Sequence, residues 1–179
     1  MSGDAVPFVM PSLRFATGSP EAAKLFEELR KPLLRYLVCI GLSADEAQDV
    51  AQDAFLSLHR HLAAGGSQES IRSWLFRVAH NQGRNRQASY GRRFAESLDG
   101  SVDVLLDHAT PERKLIEKEK RRLLGAAIRS LSDSERECLL LRAEGLRYRE
   151  IGAVLELATS TVADTVDRAI RKLAEKLHV

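Results

Sequence analysis

The chain has 179 residues, of which 44% are hydrophobic and 29% charged, and its formal net charge is only +2. This length suits one domain or two small ones, and this apolar content can fill a core. Because the net charge is small, an argument for nucleic-acid binding must rest on local clusters. No apolar run is long enough to cross a bilayer and the N-terminus lacks a signal-peptide core, so we expect a cytoplasmic protein without membrane insertion.

The first helix is predicted to follow a short tail. Residues 1–18 have no hydrophobic period, which is typical of a mobile tail, and Ser19 and Pro20 then have the residue types that begin a helix. Pro32 lies inside this helix and should kink or split it, because proline cannot donate the helical hydrogen bond. Gly41 should end it.

The next two helices are opposite in charge. Ser43 and Glu46 form a capping box that begins the second helix. Residues 43–53 hold no base and four acids, Asp45, Glu46, Asp49 and Asp53. Residues 71–93 hold no acid and six arginines, Arg72, Arg77, Arg84, Arg86, Arg92 and Arg93. Either cluster alone usually marks a solvated face, but two adjacent helices of opposite sign favour a protein partner for the acids and nucleic acid for the arginines.

A glycine-rich loop, Gly65 to Ser67, separates these two helices, and the third helix is expected from residue 69 or 70 to about residue 87. Trp74 is the only tryptophan; it could belong to the core, or it could stack on or wedge between unpaired bases. Residues 89–110 lack periodicity and predict a flexible linker. Thr110 and Pro111 should restart a helix.

The C-terminal segment, residues 131–177, predicts a helix-turn-helix. Ser132 and Glu135 form a second capping box, Gly145 closes that helix, and a short helix, a tight turn at Leu157 and an amphipathic helix follow. A plain helical hairpin would give the same periodicity. The buried-type leucine in the turn, and the hydroxyl residues Thr159, Ser160 and Thr161 at the start of the last helix, favour DNA binding. The fold class is therefore all-α, with two helical domains at 19–88 and 111–179.

Together these segments resemble the extracytoplasmic-function class of bacterial sigma factors. Residues 49–55 (DVAQDAF) resemble the family's polymerase-docking segment, and residues 71–81 (IRSWLFRVAHN) resemble the segment that opens and reads the −10 promoter element. Residues 131–177 resemble the domain that reads the −35 element. The resemblance implies core RNA polymerase and promoter DNA as partners, leaves room for an anti-sigma factor, and implies no cofactor or metal.

The resemblance also assigns residues. It assigns polymerase docking to Asp49, Gln52, Asp53 and Phe55. It assigns contacts with the −10 element to Arg72, Trp74, Arg77, His80, Asn81, Arg84 and Asn85. It also implies that the loop at 63–70 holds a flipped base. The −35 contacts fall on Arg147, Arg149, Thr159, Ser160, Thr161, Asp164, Thr165 and Arg168.

The last helix of the helix-turn-helix, which would be the DNA-recognition helix, departs from the family pattern. The family commonly has basic residues at positions 163 and 165, whereas this chain has Ala163 and Thr165 and carries acids at Asp164 and Asp167. Each lost phosphate contact lowers affinity for DNA. Arg147 and Arg149 could restore part of the positive charge.

Three other functional classes could account for parts of the sequence. The output domain of a response-regulator-type activator would explain the C-terminal segment but not the first domain, which has no βα pattern. A sigma-like interaction protein that does not initiate by itself would explain the acidic recognition helix. An enzyme is disfavoured, because no phosphate loop, nucleophile elbow or HExxH motif is present and His59 and His61 diverge around their helix. Cys39 and Cys138 read as buried thiols rather than a disulfide or a zinc site.

Overall fold

The computed structural model describes residues 20–67, 69–90 and 114–177, and these form helices joined by short turns, with no strand among them. The described helices are α1 (Pro20–Cys39), α2 (Ala44–Ala63), α3 (Ile71–Tyr90), α4 (Lys114–Arg129), α5 (Asp133–Ala143), α6 (Tyr148–Leu155) and α7 (Thr159–Leu177). The all-α prediction is confirmed. The predicted tail, most of the linker and the helix start at Thr110 and Pro111 lie outside the described residues.

Both predicted capping boxes are present. The Ser43 hydroxyl accepts a hydrogen bond from the Glu46 amide at 3.3 Å, and the Glu46 carboxylate accepts one from the Ser43 amide at 2.9 Å. Ser132 and Glu135 make the same exchange at the start of α5. Two bounds differ from the prediction: α1 continues through Pro32 without a break, and α3 extends past residue 87 to Tyr90.

The three N-terminal helices enclose a core to which each contributes. Leu33 and Leu37 of α1, Ala54 of α2, and Leu75 and Phe76 of α3 are fully buried. Close-packed aliphatic and aromatic burial of this kind provides most of the driving force for folding. This packing fixes which sides of α2 and α3 remain open to solvent.

The helix-turn-helix depends on tight backbone turns. Gly145 has φ +89° after α5, and Glu156 has φ +58° after α6. A Cβ atom added to Gly152 would lie 2.5 Å from the Leu157 carbonyl oxygen, so glycine is required where α6 meets the turn. Leu157 is partly buried against the core, as predicted.

Three large apolar side chains are exposed on α4 and α7. Leu123 and Leu124 of α4 are 45% and 38% exposed, and Ile170 of α7 is 51% exposed. The apolar stripe on each helix is wider than the surface that the neighbouring helices cover, so residues at its edge remain in solvent.

The two helical units are in contact. α3 lies against α6, and α1 reaches α5. None of the described helices has the length and apolar character needed to cross a membrane.

Candidate nucleic-acid interface

One side of α3 combines cationic and amide side chains. Arg77, Asn81, Arg84 and Asn85 are exposed, and their spacing of three or four residues places them along one face with Trp74. Guanidinium groups bind phosphate, and amides can contact phosphate or base edges. The structure therefore brings five of the predicted −10 residues together on an accessible stripe.

Trp74 is half-buried at the first turn of this stripe and carries a stacked ring. The His61 imidazole, from the end of α2, lies 4.7 Å from the Trp74 ring, centroid to centroid, at an interplanar angle of 21°. A Cβ atom added to Gly66 would meet the His61 ring at 2.3–2.6 Å, so the loop backbone closes tightly over the imidazole. Flat π-surfaces are thus concentrated beside the loop that the family resemblance assigns to a flipped base.

His80, predicted to contact DNA, instead belongs to the core. It is buried, and its Nδ1 lies 2.7 Å from the Tyr36 hydroxyl. Burial, aided by the positive charge of Arg84, lowers the pKa of His80 to about 4. The imidazole is therefore neutral at physiological pH and has no path to a phosphate.

This burial makes an acid-sensitive contribution to stability. An unfolded histidine takes up a proton near pH 6.5, whereas folded His80 does so only near pH 4. The unfolded state therefore gains protons first, and stability is lost as pH falls through this window. We expect the free energy of unfolding to drop by about 2 kcal/mol between pH 7 and pH 5 from this group.

Urea unfolding followed by circular dichroism at several pH values measures this loss. The matched variant is His80→Gln, which can still form a hydrogen bond with the Tyr36 hydroxyl but does not titrate. Equal pH dependence in the two proteins would contradict the assignment.

The acids of α2 are exposed but not isolated. Asp49 lies 3.2 Å and Asp53 3.9 Å from the Arg86 guanidinium of α3, while the two carboxylates remain 67% and 58% exposed. The sequence predicts a protein partner for the acids of α2 and nucleic acid for the arginines of α3, but here the two acids and Arg86 partly neutralise each other. Such exposed pairs contribute little to stability and leave the carboxylates available to a partner.

The other two predicted docking residues border a groove between α1 and α2. Gln52 is partly exposed there, whereas Phe55 is buried and its ring centroid lies 4.5 Å from that of Phe26. Phe55 therefore lies at the bottom of the groove and is itself almost inaccessible to solvent. The groove is lined by Phe26, Arg30, Leu34, Gln48, Ala51, Gln52 and Phe55.

Most of the predicted −35 residues are exposed at the helix-turn-helix. The exposed set is Arg147, Arg149, Thr159, Ser160, Thr161, Asp164 and Arg168. Thr165 is an exception: it is buried with Val162, Val166 and Ala169 on the inner face of α7. The prediction for Thr165 was carried over from the family pattern, and the packing of α7 against α5 and α6 removes it from the DNA-facing side.

Sequence reasoning missed three charged residues that join the two helical units, Arg35, Glu137 and Glu144. Arg35 binds both carboxylate oxygens of Glu144, at 3.0 and 2.6 Å, and Arg84 lies 3.4 Å from Glu137. Arg72 donates a hydrogen bond to the Glu144 backbone carbonyl. Glu137 and Glu144 are seven residues apart on α5 and its cap, so they share a side, but nothing local to the sequence identifies their partners.

Each of the two helical units matches a known family model. Residues 25–93 match the family model for sigma-70 region 2, and residues 121–173 match that for sigma-70 region 4. The two matches correspond to α1–α3 and to most of α4–α7, in the order that the sequence predicted.

Curated relatives give the same assignment over most of the chain. The RNA polymerase sigma-H factor of Pseudomonas aeruginosa is 34% identical over 155 residues, covering 82% of this chain and 80% of the relative. The ECF RNA polymerase sigma-E factor of Escherichia coli K12 is 26% identical over 174 residues, covering 92% and 91%.

Two solved structures share the fold. CnrH, solved in complex with the cytosolic domain of CnrY, superposes with a TM-score of 0.63 at 23% identity, over 92% of each chain. The sigma factor RpoE of Bartonella quintana, solved with the anti-sigma factor NepR, gives 0.63 at 20% identity, over 90% of this chain and 99% of that one. On the identity and coverage of the curated relatives and on the two family matches, this chain belongs to the extracytoplasmic-function RNA polymerase sigma factors, which join core polymerase and direct it to initiate transcription at promoter DNA.

Proposed function

We propose that the three surfaces of this sigma factor divide the work of initiation. The exposed side of α2 docks on core polymerase, the stripe on α3 binds and opens the −10 element, and the start of α7 with the start of α6 contacts the −35 element. The observation that carries this division is the α3 stripe, where exposed arginine and amide side chains continue directly from an aromatic stack. The chain catalyses no reaction itself, needs no cofactor, and acts in the cytoplasm with polymerase.

The assignment of docking to α2 is supported by charge and shape. Asp49 and Asp53 are exposed on α2, and Gln52 lies beside them along the groove formed with α1. Carboxylates would repel DNA, whereas a basic protein surface would gain from them. Arg86 holds both carboxylates in place without covering them.

The assignment of melting to α3 is supported by the chemistry of its exposed side. Arg77 and Arg84 can hold the phosphates of a separated strand, and Trp74 offers a π-face to an unpaired base. Extruding a base costs a few kcal/mol, which stacking and hydrogen bonds in a specific pocket must offset. The neighbouring glycine loop can approach such a base closely, as it already approaches the His61 ring.

The −35 contact is proposed to be weak by itself. Thr159, Ser160 and Thr161 present hydroxyls and backbone amides at the start of α7, where a helix favours anions. Asp164 and Asp167 stand exposed on the next turn and oppose phosphate. Attachment to polymerase through the first domain would raise the local concentration of DNA and compensate for this weakness.

Transcription reconstituted from core polymerase and the purified chain tests the function as a whole. The transcripts made from a fragmented genomic template would be sequenced to reveal a shared promoter. Initiation at a common −10 and −35 pattern is the expected result. Stable binding to core without any promoter-dependent transcript would instead support the alternative of a sigma-like interaction protein.

Reversing either exposed carboxylate should weaken docking. We expect Asp49→Arg or Asp53→Arg to lower the affinity for core polymerase about tenfold, which corresponds to ~1.4 kcal/mol for loss of one interfacial charge contact. Each variant also places a second cation near Arg86, which adds repulsion. Surface plasmon resonance against immobilised core enzyme measures the change.

Glu175→Arg is the charge-matched control, because Glu175 is exposed near the end of α7, in the other helical unit. It should bind core as the wild type does. Wild-type affinity of both α2 variants would refute the docking assignment.

A further inference from the structure

Another residue of the chain covers the π-surface of Trp74. The His61 imidazole, near the end of α2, is stacked on the indole, with 4.7 Å between the ring centroids and 21° between the ring planes. Trp74 also packs against the hydrophobic core, so the imidazole covers π-surface that the core leaves open. A base that stacks on Trp74 would therefore have to take the place of this imidazole.

The loop after α2 closes on the same imidazole. A Cβ atom added to Gly66 would lie 2.3, 2.4 and 2.6 Å from Cε1, Nε2 and Cδ2 of His61. Because these distances are nearly equal, the added atom would lie over the face of the ring and not at its edge. The turn is anchored to the end of α2, since the amides of Gly65 and Gly66 donate to the carbonyls of Leu62 and His61 at 3.0 and 2.9 Å. A glycine backbone thus approaches a flat ring more closely than any residue with a Cβ could.

Stacking and van der Waals contacts hold the imidazole in this position. Within residues 20–67, 69–90 and 114–177, no group forms a hydrogen bond with either ring nitrogen of His61. The side chain is half-buried, so rotation about χ1 can carry the ring into solvent. His80 differs, because it is buried and its Nδ1 lies 2.7 Å from the Tyr36 hydroxyl. His61 can therefore leave its place without breaking a described hydrogen bond, whereas His80 cannot.

We propose that in the free chain His61 occupies the position on Trp74 that an unpaired base takes during promoter opening, and that the imidazole turns out when the base stacks there. The inference rests on the proposed role of α3 in melting and adds the residue that covers the stacking surface. An imidazole and a nucleobase are both flat aromatic heterocycles, so a space between a π-face and a glycine backbone that accepts one suits the other. Arg77, exposed three residues after Trp74 along α3, is placed to hold the phosphate of the captured nucleotide.

The fluorescence of the full-length protein reports this stack directly, because Trp74 is the only tryptophan in the chain. Acrylamide quenching measures how accessible the indole is, without DNA or polymerase. Binding is measured with two short single-stranded probes: an oligothymidylate, and an oligomer of the same length in which abasic tetrahydrofuran residues replace every nucleoside. The two probes carry the same phosphates, so the ratio of their affinities isolates the contribution of the bases.

We expect His61→Ala to make Trp74 more accessible to acrylamide and to raise the affinity for oligothymidylate about five- to tenfold, because the base no longer competes with the imidazole. The abasic probe should not bind more tightly. Since alanine carries no charge, a gain cannot come from stronger attraction to phosphate. His61→Phe keeps a competing ring, so it should leave Trp74 shielded and the affinity for oligothymidylate at or below that of the wild type.

His59→Ala is the matched control, because it makes the same replacement two positions away, on another side of α2. It should change neither the quenching nor the binding. Circular dichroism checks that each variant folds. His61→Gln is a milder replacement that keeps a long side chain but has no ring, and it must show the same gain in accessibility and in affinity for oligothymidylate.

Three results would overturn the proposal: Trp74 as shielded in His61→Ala as in the wild type, an accessible Trp74 with no gain in affinity for oligothymidylate, or a loss of that affinity. The last result would mean that the imidazole supports the base instead of occupying its place. Reconstituted transcription separates this inference from the proposed function. Promoter-dependent initiation without the expected gain leaves the function and removes the role of His61, whereas the expected gain without any promoter-dependent transcript leaves the base site and removes the function.

Discussion

Gly152→Ala is expected to unfold or severely loosen the helix-turn-helix. The new Cβ would lie 2.5 Å from the Leu157 carbonyl oxygen, and that oxygen is backbone that cannot rotate away. The turn is also fixed by the hydrogen bond from the Leu157 amide to the Gly152 carbonyl at 3.0 Å. Relief requires α7 to shift relative to α6, at a cost of about 1–3 kcal/mol or more. Urea unfolding should show the loss, and dependence of transcription on the −35 element should disappear.

Gly66→Ala is the informative control. Its new Cβ would come even closer to an existing atom, at 2.3 Å, but that atom belongs to the His61 ring. A half-buried side chain can change rotamer, so we expect the midpoint of urea unfolding to change little. A larger loss for Gly66→Ala than for Gly152→Ala would contradict this account of backbone and side-chain clashes.

Arg77→Glu should block promoter opening while sparing polymerase binding. Arg77 is exposed on the α3 stripe, and a carboxylate there would repel the phosphate that the guanidinium is proposed to hold. We expect the yield of open complex to fall about tenfold, equivalent to ~1.4 kcal/mol. Permanganate reactivity of unpaired thymines in the holoenzyme–promoter complex measures the yield.

Lys24→Glu is the matched control for Arg77. It makes the same change of charge at an exposed position of α1, where Lys24 makes only a weak surface pair with Glu28 at 3.9 Å. The control should melt the promoter normally. Arg84 is a less direct test, since it also contacts Glu137. Normal thymine reactivity with Arg77→Glu would contradict the proposed role of α3 in promoter melting.

Some features could be predicted because their signals are local. The capping boxes at Ser43 and Ser132 each involve residues three apart, so the sequence alone shows where α2 and α5 begin. The glycine at 145 marks a turn for a similar reason. Periodicity likewise located the helices, and the family motifs in their order predicted both units that the comparisons confirm.

Other assignments failed because a periodic pattern does not show how much of a helix its neighbours will cover. His80 and Thr165 have residue types that suit a binding surface, yet the packing of adjacent helices buries both. Leu123 and Ile170, by contrast, have residue types that favour burial but remain exposed. The extent of a buried face depends on the number and angle of the helices packed against it, and these are properties of the assembled fold.

By itself the sequence determined the all-α class, the helix starts, and the accumulation of acids on α2 and arginines on α3, because these depend on residues within a few positions of each other. Only the tertiary structure decided what those charges contact. Arg35 and Glu144 are 109 residues apart along the chain. Their pairing arises when α1 and α5 come together, and no short-range pattern encodes it. The same is true of Arg86, which lies against the acids of α2 only because α2 and α3 pack side by side.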